Sequence, residues 1–250
     1  MATFLYAIGW LSGIGGLTPT ALDAAPKPGD GTRLFAVAIN LLLLGLFAVQ
    51  HSVMARPWFK RVWTRIVPPA AERSTYVLFS CVALVAMFWL WRPMGGVVWD
   101  VQNPAARGAI HAACASGWLL VLAATFLLNH FDLFGLRQVW LRFLGREYTA
   151  LPFRAPVLYR VVRHPLYVGW LVAFWAAPTM TAAHLLFAVV TTVYILMAIQ
   201  WEERDLVATL PEYAQYRRRV GMLLPRWSRS GSCRRNANPR QGGRRCAVER

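Results

Sequence analysis

Long apolar runs separated by polar loops set the pattern of this 250-residue chain. A helix needs about 20 apolar residues to cross about 30 Å of hydrocarbon, and run 34–55 reaches that length while run 3–17 is short for it. The pattern predicts an all-α, polytopic integral membrane helical bundle with about six membrane segments. The six runs are residues 3–17, 34–55, 74–92, 108–130, 166–177 and 182–201.

The last two runs, 166–177 and 182–201, are separated by a short turn that begins at a proline, and a second proline precedes run 166–177. Pro165 precedes run 166–177 and Pro178 follows it. If the chain folds back near residues 178–183, each arm is roughly 22–28 Å long at about 1.5 Å per residue. A helical hairpin is therefore predicted, and it brings "RHP" (163–165) and "WEER" (201–204) to the same end of the bundle.

Lysine and arginine are concentrated in alternate loops. Loop 56–73 carries five of them and segment 131–163 carries six arginines, whereas the intervening loops are poor in both. The positive-inside rule places the rich loops in the cytoplasm, which gives an arrangement with both ends inside. Residues 131–160 then form a cytoplasmic cap with one amphipathic helix near 134–144, and a short surface helix is predicted within 204–224.

The net charge of +16 follows this loop pattern. Hydrophobic residues make up 57% of the chain, charged residues 15%, and the mean hydropathy is +0.39, which is typical of a membrane protein rather than a nucleic-acid-binding protein. Residues 226–250 hold eight arginines and one glutamate, a polar composition that predicts a disordered basic tail after a membrane domain at 1–225. An arginine-rich tail of this kind can lie on anionic lipid.

The four cysteines show no spacing typical of a metal or redox site. Cys81 and Cys114 lie inside apolar runs, and Cys233 and Cys246 lie in the tail. No CxxC pair is present, so no metal site is predicted.

The stretch "RHPLYVG" (163–169) combines features of an anion site. Proline at the first helical position leaves the following amides free, and these amides with the positive end of the helix dipole favour an anion. Arg163 adds a fork for a carboxylate or phosphate. The alternative is that Arg163 is an interfacial residue and His164 a helix cap.

Glu202 and Glu203 lie at the carboxyl end of the last run, where the helix dipole disfavours negative charge. Either nearby arginines or a bound cationic or polyhydroxyl ligand must compensate them. An anion site, two carboxylates and aromatic rings such as Tyr159 and Tyr167 would suit S-adenosylmethionine, whose sulfonium is attracted to aromatic faces. Composition alone does not distinguish this ligand from several others.

The stretches "RHPLYVGW" and "EERDLVATLPEYAQYRRRVGMLLP" resemble the signature of the integral-membrane methyltransferases related to isoprenylcysteine carboxyl methyltransferase. The resemblance covers roughly residues 2–225 and implies a bacterial inner-membrane enzyme whose S-adenosylmethionine site faces the cytoplasm. Earlier stretches such as "FAVQHSVMARPWFK" are similar to a subgroup that methylates a small thiol, methanethiol, to dimethyl sulfide. Matched by motif, the implied cofactor-binding residues are Arg163, His164, Tyr167, Gly169, Glu202, Glu203, Tyr213 and Tyr216.

Several interpretations stay open from the residues alone. His164 and His130 are the candidate catalytic bases for the thiol, since the nucleophile is a thiolate. The segment "QHS" (50–52) is a further candidate to line the cavity, with hydrogen bonding between helices as the alternative. A prenylcysteine or lipid substrate is a second possibility. A third is a non-enzymatic haem protein or an accessory membrane protein of denitrification, with His51 and His130 as axial ligands. The oligomeric state is not predicted.

Overall fold

The computed structural model describes residues 2–12, 20–27, 29–149, 151 and 155–226. The predicted tail from residue 227 onward and residues 13–17 of the predicted first run lie outside this part of the chain. The structure is 71% helix and 4% strand, so the predicted helical class is confirmed. The helices are α1 (Ala2–Ser12), α2 (Arg33–Ala55), α3 (Pro57–Trp63), α4 (Glu72–Leu90), α5 (Pro104–Leu127), α6 (His130–Leu133), α7 (Leu136–Phe143), α8 (Val157–Val161), α9 (Pro165–Trp175), α10 (Ala182–Thr209) and α11 (Pro211–Arg219).

Within the described residues, four helices are long and apolar enough to cross a membrane. They are α2, α4 with the 3-10 turn before it, α5 and α10. The other two predicted segments correspond to α1 and α9, which are apolar but have only 11 residues each. At about 1.5 Å per residue each is about 16 Å long, which is half of the hydrocarbon thickness.

A pair of short strands is an element that the all-α prediction lacked. β1 (Val97–Asp100) pairs antiparallel with β2 (Thr179–Thr181), and Trp99 Nε1 donates to the carbonyl of Ala177 at 3.0 Å. Strands of four and three residues are too short to show an alternating pattern in the sequence. The pair joins the loop after α4 to the turn between α9 and α10.

The predicted hairpin is confirmed. α9 and α10 run antiparallel around residues 176–181, with contacts from His184 to Phe174 at the turn and from His164 to Glu203 at the other end. α10 continues to Thr209, beyond the predicted end at residue 201, because its polar extension "EERDLVA" consists largely of residues that favour helix. The helices predicted near 134–144 and within 204–224 are α7 and α11.

An aromatic cluster fixes α1 between its neighbours. Trp10 is fully buried, and its ring contacts Phe88 at 5.0 Å, Trp91 at 5.5 Å and Phe187 at 5.6 Å between centroids. Aromatic pairs at these distances add to the free energy gained from burial alone. The short helix α1 is therefore held by α4 and α10.

The turn end of the hairpin, which we call the Asp23 end, is closed by a buried histidine. His184 Nδ1 lies 2.9 Å from the Asp23 carboxylate, and its Nε2 lies 2.9 Å from the carbonyl oxygen of Phe174. Thr181 donates to the same carboxylate at 2.5 Å. Both ring nitrogens of His184 are therefore occupied by groups of the fold, which indicates a structural role.

α5 and α9 cross with their backbones in contact at two glycines. A Cβ atom at Gly169 would lie 2.8 Å from the carbonyl oxygen of Gly117, and a Cβ at Gly117 would lie 2.8 Å from that of Gly169. Small residues permit this close approach between membrane helices. Gly169, which the motif resemblance assigns to the cofactor site, thus lies at the helix crossing.

We expect Gly169→Ala to destabilise the protein, because the new methyl group meets backbone atoms that cannot move independently. Overpacking of this kind costs about 1–3 kcal/mol, which corresponds to a fall of several degrees in melting temperature. The matched control is Gly108→Ala in α5, where a Cβ meets nothing within 4 Å. Melting curves in detergent should show a lower temperature for the first variant and an equal or higher one for the second; equal falls would contradict the close crossing.

Candidate functional site

The segment before α9 is held by main-chain hydrogen bonds to the segment after α11. The amide of Arg163 donates to Gly221 at 2.8 Å, and the amide of His164 donates to Met222 at 3.2 Å. Val162 and Gly221 form a parallel bridge. These bonds fix the direction in which Arg163 and His164 enter the bundle, at the end opposite Asp23, which we call the Glu203 end.

Glu203 is the most enclosed carboxylate of this end. Only 2% of its side chain is exposed, and it accepts from three cationic or polar groups. Arg163 Nε lies 2.7 Å and His164 Nε2 lies 3.0 Å from Oε1, while Arg217 Nε lies 3.0 Å from Oε2. A buried carboxylate is tolerated when such partners satisfy it. Glu203 therefore joins α9, α10 and α11.

Arg163 is committed to this junction. Besides Glu203, its Nη1 donates to the carbonyl oxygens of Arg217 at 3.0 Å and Val220 at 2.6 Å. Two of its three nitrogens thus hold the chain itself. Arg163, which the sequence predicts to bind a ligand carboxylate, thus has a structural role. Its contact with a ligand stays a prediction.

Glu202 has a different environment from Glu203. Its side chain is 45% exposed. It accepts a hydrogen bond from the Tyr167 hydroxyl at 3.0 Å, and His164 Nδ1 lies 4.0 Å away. Consecutive residues of an α-helix point about 100° apart at about 3.6 residues per turn, which separates the two carboxylates. The pair that looks uniform in sequence consists of one buried clamp and one accessible carboxylate.

Three further tyrosines lie where α5, α8 and α11 meet. The Tyr216 hydroxyl donates to the carbonyl oxygen of Tyr159 at 2.5 Å, and the Tyr159 hydroxyl donates to Ala124 at 3.5 Å. The Tyr213 side chain is buried, with its ring 5.5 Å from that of Tyr216. Burial raises the pKa of Tyr216 to about 12. Burial and the charge of Glu202 raise the pKa of Tyr159, and burial and the charges of Glu203 and Glu202 raise the pKa of Tyr213, so all three phenols are neutral at pH 7.

His130, the second candidate base, lies in a separate environment. Its Nδ1 is 3.2 Å from the Thr125 hydroxyl, and its ring stacks on Phe126 at 4.5 Å and lies 4.6 Å from Phe134. Burial lowers the pKa of His130, which favours a neutral imidazole. The contacts of His130 come from residues 125–134, and its role as a catalytic base stays a prediction.

Residues at the Glu203 end include two that sequence reasoning missed. Arg217 was hidden in the run Arg217–Arg219, where nothing in the sequence shows which arginine turns inward. Tyr76 lies near the start of α4, with Ser80 one turn later on the same face. This i, i+4 polar pair in an apolar helix is the signal that could have found it.

The haem alternative fits the structure poorly. Both ring nitrogens of His51 lie within hydrogen-bond distance of Tyr76 or Ser80, so the ring has local partners in place of a metal. Within the described residues, no group of three histidine, cysteine, aspartate or glutamate side chains is placed to hold a metal ion.

Comparison with known proteins identifies relatives along most of the chain. The methanethiol S-methyltransferase of Mycobacterium tuberculosis is 55% identical over 226 residues, covering 90% of this chain and 91% of the relative. That of Crocosphaera subtropica is 52% identical over 226 residues, covering 90% and 87%. Nurim of Danio rerio is 29% identical over 206 residues, covering 77% and 74%.

No family model matches the chain, and no solved structure matches it. Identities of 55% and 52% over 90% of the chain nevertheless show the family, and they agree with the resemblance in the two signature stretches. The chain belongs to the methanethiol S-methyltransferase family.

Proposed function

We propose that this protein transfers a methyl group from S-adenosylmethionine to methanethiol and so forms dimethyl sulfide, at the site beside Glu202. The observation that carries the proposal is the split between the two carboxylates. Glu203 is enclosed by its own arginines and histidine, whereas Glu202 remains 45% exposed with one tyrosine bonded to it. Glu202 is an accessible carboxylate near the first turn of α9, which is the positive end of that helix. The carboxylate suits the hydroxyl groups of a ligand, and the helix end suits an anionic group of the same ligand.

The residues present fit S-adenosylmethionine in three ways. Glu202 would accept hydrogen bonds from the ribose hydroxyls, and Tyr167 orients that carboxylate. α9 begins with Pro165, and no side chain caps its first turn, so the amides of Leu166 and Tyr167 would hold the amino-acid carboxylate. The tyrosine faces around Glu202 would attract the sulfonium. Gly169, Tyr159, Tyr213 and Tyr216 would complete the cofactor site as the motif resemblance implies, and Arg163 and His164, both held by Glu203, would fix the start of α9.

When bound, S-adenosylmethionine supplies an electrophilic methyl group on a positively charged sulfur. The task of the chain is then to position a thiol in line with that group and to exclude water. The Glu203 clamp serves this task because it fixes the start of α9, α10 and α11 relative to one another. Methanethiol is small and apolar, and a wall of apolar and aromatic side chains suits it.

Purified protein in detergent or nanodiscs, mixed with S-adenosylmethionine and methanethiol, should release dimethyl sulfide, which gas chromatography of the headspace detects. A parallel reaction contains farnesylcysteine in place of methanethiol, since a prenylcysteine is the substrate of the second interpretation. Methyl transfer to the prenylcysteine with none to methanethiol would contradict the substrate assignment. The boiled protein is the blank.

The two carboxylates should respond differently to the same change. Glu202→Gln should weaken S-adenosylmethionine binding about 10- to 100-fold, the effect of losing a hydrogen bond to a charged acceptor, with little change in melting temperature. Glu203→Gln should lower the melting temperature, because Arg163 and Arg217 lose a buried counter-charge. Calorimetric titration and melting curves measure both quantities in each variant. Equal effects of the two substitutions would contradict the division of roles.

We further propose that the chain forms six membrane segments, with the short helices α1 and α9 entering the bilayer beside the four long ones. Both termini, the cap at 131–160 and the Glu202 site face the cytoplasm of a bacterial inner membrane, and residues 1–225 are the functional unit. The arginine-rich loops support this orientation. The basic tail at 226–250 lies outside this unit.

Cysteine labelling tests the orientation. In a chain whose four native cysteines are serine, Gln102→Cys lies in the loop between α4 and α5, and Arg146→Cys lies after α7. A membrane-impermeant maleimide added to intact cells should label position 102 and should reach position 146 only after the membrane is opened. The opposite result would invert the topology.

A further inference from the structure

A polar cluster of His51, Tyr76 and Ser80 joins the two apolar helices α2 and α4. The Tyr76 hydroxyl lies 2.8 Å from His51 Nε2 and 3.0 Å from Nδ1, and the Ser80 hydroxyl lies 3.1 Å from Nδ1. Ser80 also donates to the main-chain carbonyl oxygen of Tyr76 at 3.0 Å. The imidazole stacks on Phe47 at 5.2 Å. Ionisable groups inside membrane helices mark functional sites by default.

Donor and acceptor rules assign the proton positions in this cluster. Ser80 has one hydroxyl proton and uses it on the Tyr76 carbonyl, so its oxygen accepts from His51 Nδ1–H. His51 Nε2 then carries a lone pair and accepts the hydroxyl proton of Tyr76, which is the shorter of the two tyrosine contacts. The tyrosine oxygen keeps its own lone pairs for a further partner. The arrangement is a base connected to a phenol.

The phenol adjoins the site proposed above. Tyr76 lies within electrostatic range of Glu202 and Tyr194, and Tyr167, which is bonded to Glu202, lies within range of the same two tyrosines. His51 is thus connected through the Tyr76 hydroxyl to a group of side chains that lies within electrostatic range of Glu202. By contrast, His164 Nε2 is bonded to the buried Glu203 carboxylate, and the contacts of His130 come from residues 125–134.

We propose that Tyr76 and His51 remove the thiol proton during methyl transfer. This inference rests on the proposed function. The thiol S–H bond breaks as its proton goes to the Tyr76 oxygen, while the phenol proton goes to His51 Nε2. The sulfur electron pair so released forms the new S–CH3 bond, and the electron pair of the donor's broken C–S bond stays on the donor sulfur. The proton then leaves His51 for solvent. Tyr76 is the catalytic residue, and His51 is a positioning residue that acts through it.

A structural role for the cluster makes a different prediction. If His51, Tyr76 and Ser80 only tie α2 to α4, their loss harms every thiol substrate equally. If they take up the proton, their loss matters for a weakly acidic thiol and matters little for a thiol that ionises by itself, since the thiolate is the nucleophile. The acidity of the substrate therefore separates the two roles.

The test uses His51→Gln and Tyr76→Phe in the full chain. Glutamine keeps the capacity to donate to Ser80 and accept from Tyr76 but cannot take up a proton at neutral pH, and phenylalanine keeps the ring. With methanethiol at pH 7 we expect kcat to fall about 100-fold in each variant, which lies within the usual contribution of a general base. S-adenosylmethionine affinity should be unchanged. With 2,2,2-trifluoroethanethiol, a small and more acidic thiol, the loss should shrink to below about 10-fold.

A pH series on methanethiol supplies a second readout. The deficit of each variant relative to wild type should shrink as pH rises toward the ionisation of the thiol itself. The charged and titratable neighbours of the cluster are Glu72, Arg73, Tyr194 and Glu202, with Tyr167 beyond them. They are the same in wild type and variants, so the ratio of rates at each pH removes their contribution.

Ser52→Ala is the matched control. It removes the neighbouring hydrogen bond between Ser52 and Tyr194, 3.0 Å long, and leaves His51 and Tyr76 intact. Any loss it causes should be the same for both thiols. Wild-type rates in His51→Gln and Tyr76→Phe on methanethiol, or a loss independent of thiol acidity and pH, would overturn the proton path alone. A wild-type protein that methylates no thiol would overturn the proposed function, and this inference with it.

Discussion

One buried negative charge organises the Glu203 end of this molecule. Glu203 is 2% exposed and would be costly to bury without partners. Its two oxygens accept from Arg163, His164 and Arg217, which come from the segment before α9 and from α11. Because these partners come from two distant places in the sequence, the charge is satisfied only when α9, α10 and α11 are assembled. The surroundings of Glu202, the next residue of α10, are a consequence of that assembly.

The approach of "RHP" to the Glu pair could be predicted from sequence because it depends on quantities that the sequence contains. Prolines mark the ends of run 166–177, and the helix rise converts residue counts into lengths. The two arms of a hairpin of similar length must end near each other. The contact of His164 with Glu203 at 3.0 Å confirms this prediction.

The division between Glu202 and Glu203 could not be predicted in the same way. α10 is apolar on all its faces before the pair, so its pattern has no phase that shows which face turns inward. The same limit applies to Arg217 among three consecutive arginines. The short strands β1 and β2 were missed for a different reason, because pairing between seven residues leaves no periodic pattern. In each case the missing information is an orientation set by tertiary packing.

The main-chain hydrogen bonds between residues 163–164 and 221–222 determine which positions of the sequence can change. A main-chain hydrogen bond does not depend on the side chain, so Val220 and Met222 can be replaced by other residues without loss of the bonds. Gly221 is not free, because a Cβ there would lie 2.0 Å from the carbonyl oxygen of Leu224. The residues that fix the start of α9 therefore lie in two distant parts of the sequence. Gly221, near the end of the domain, acts together with "RHPLYVG" although more than fifty residues separate them.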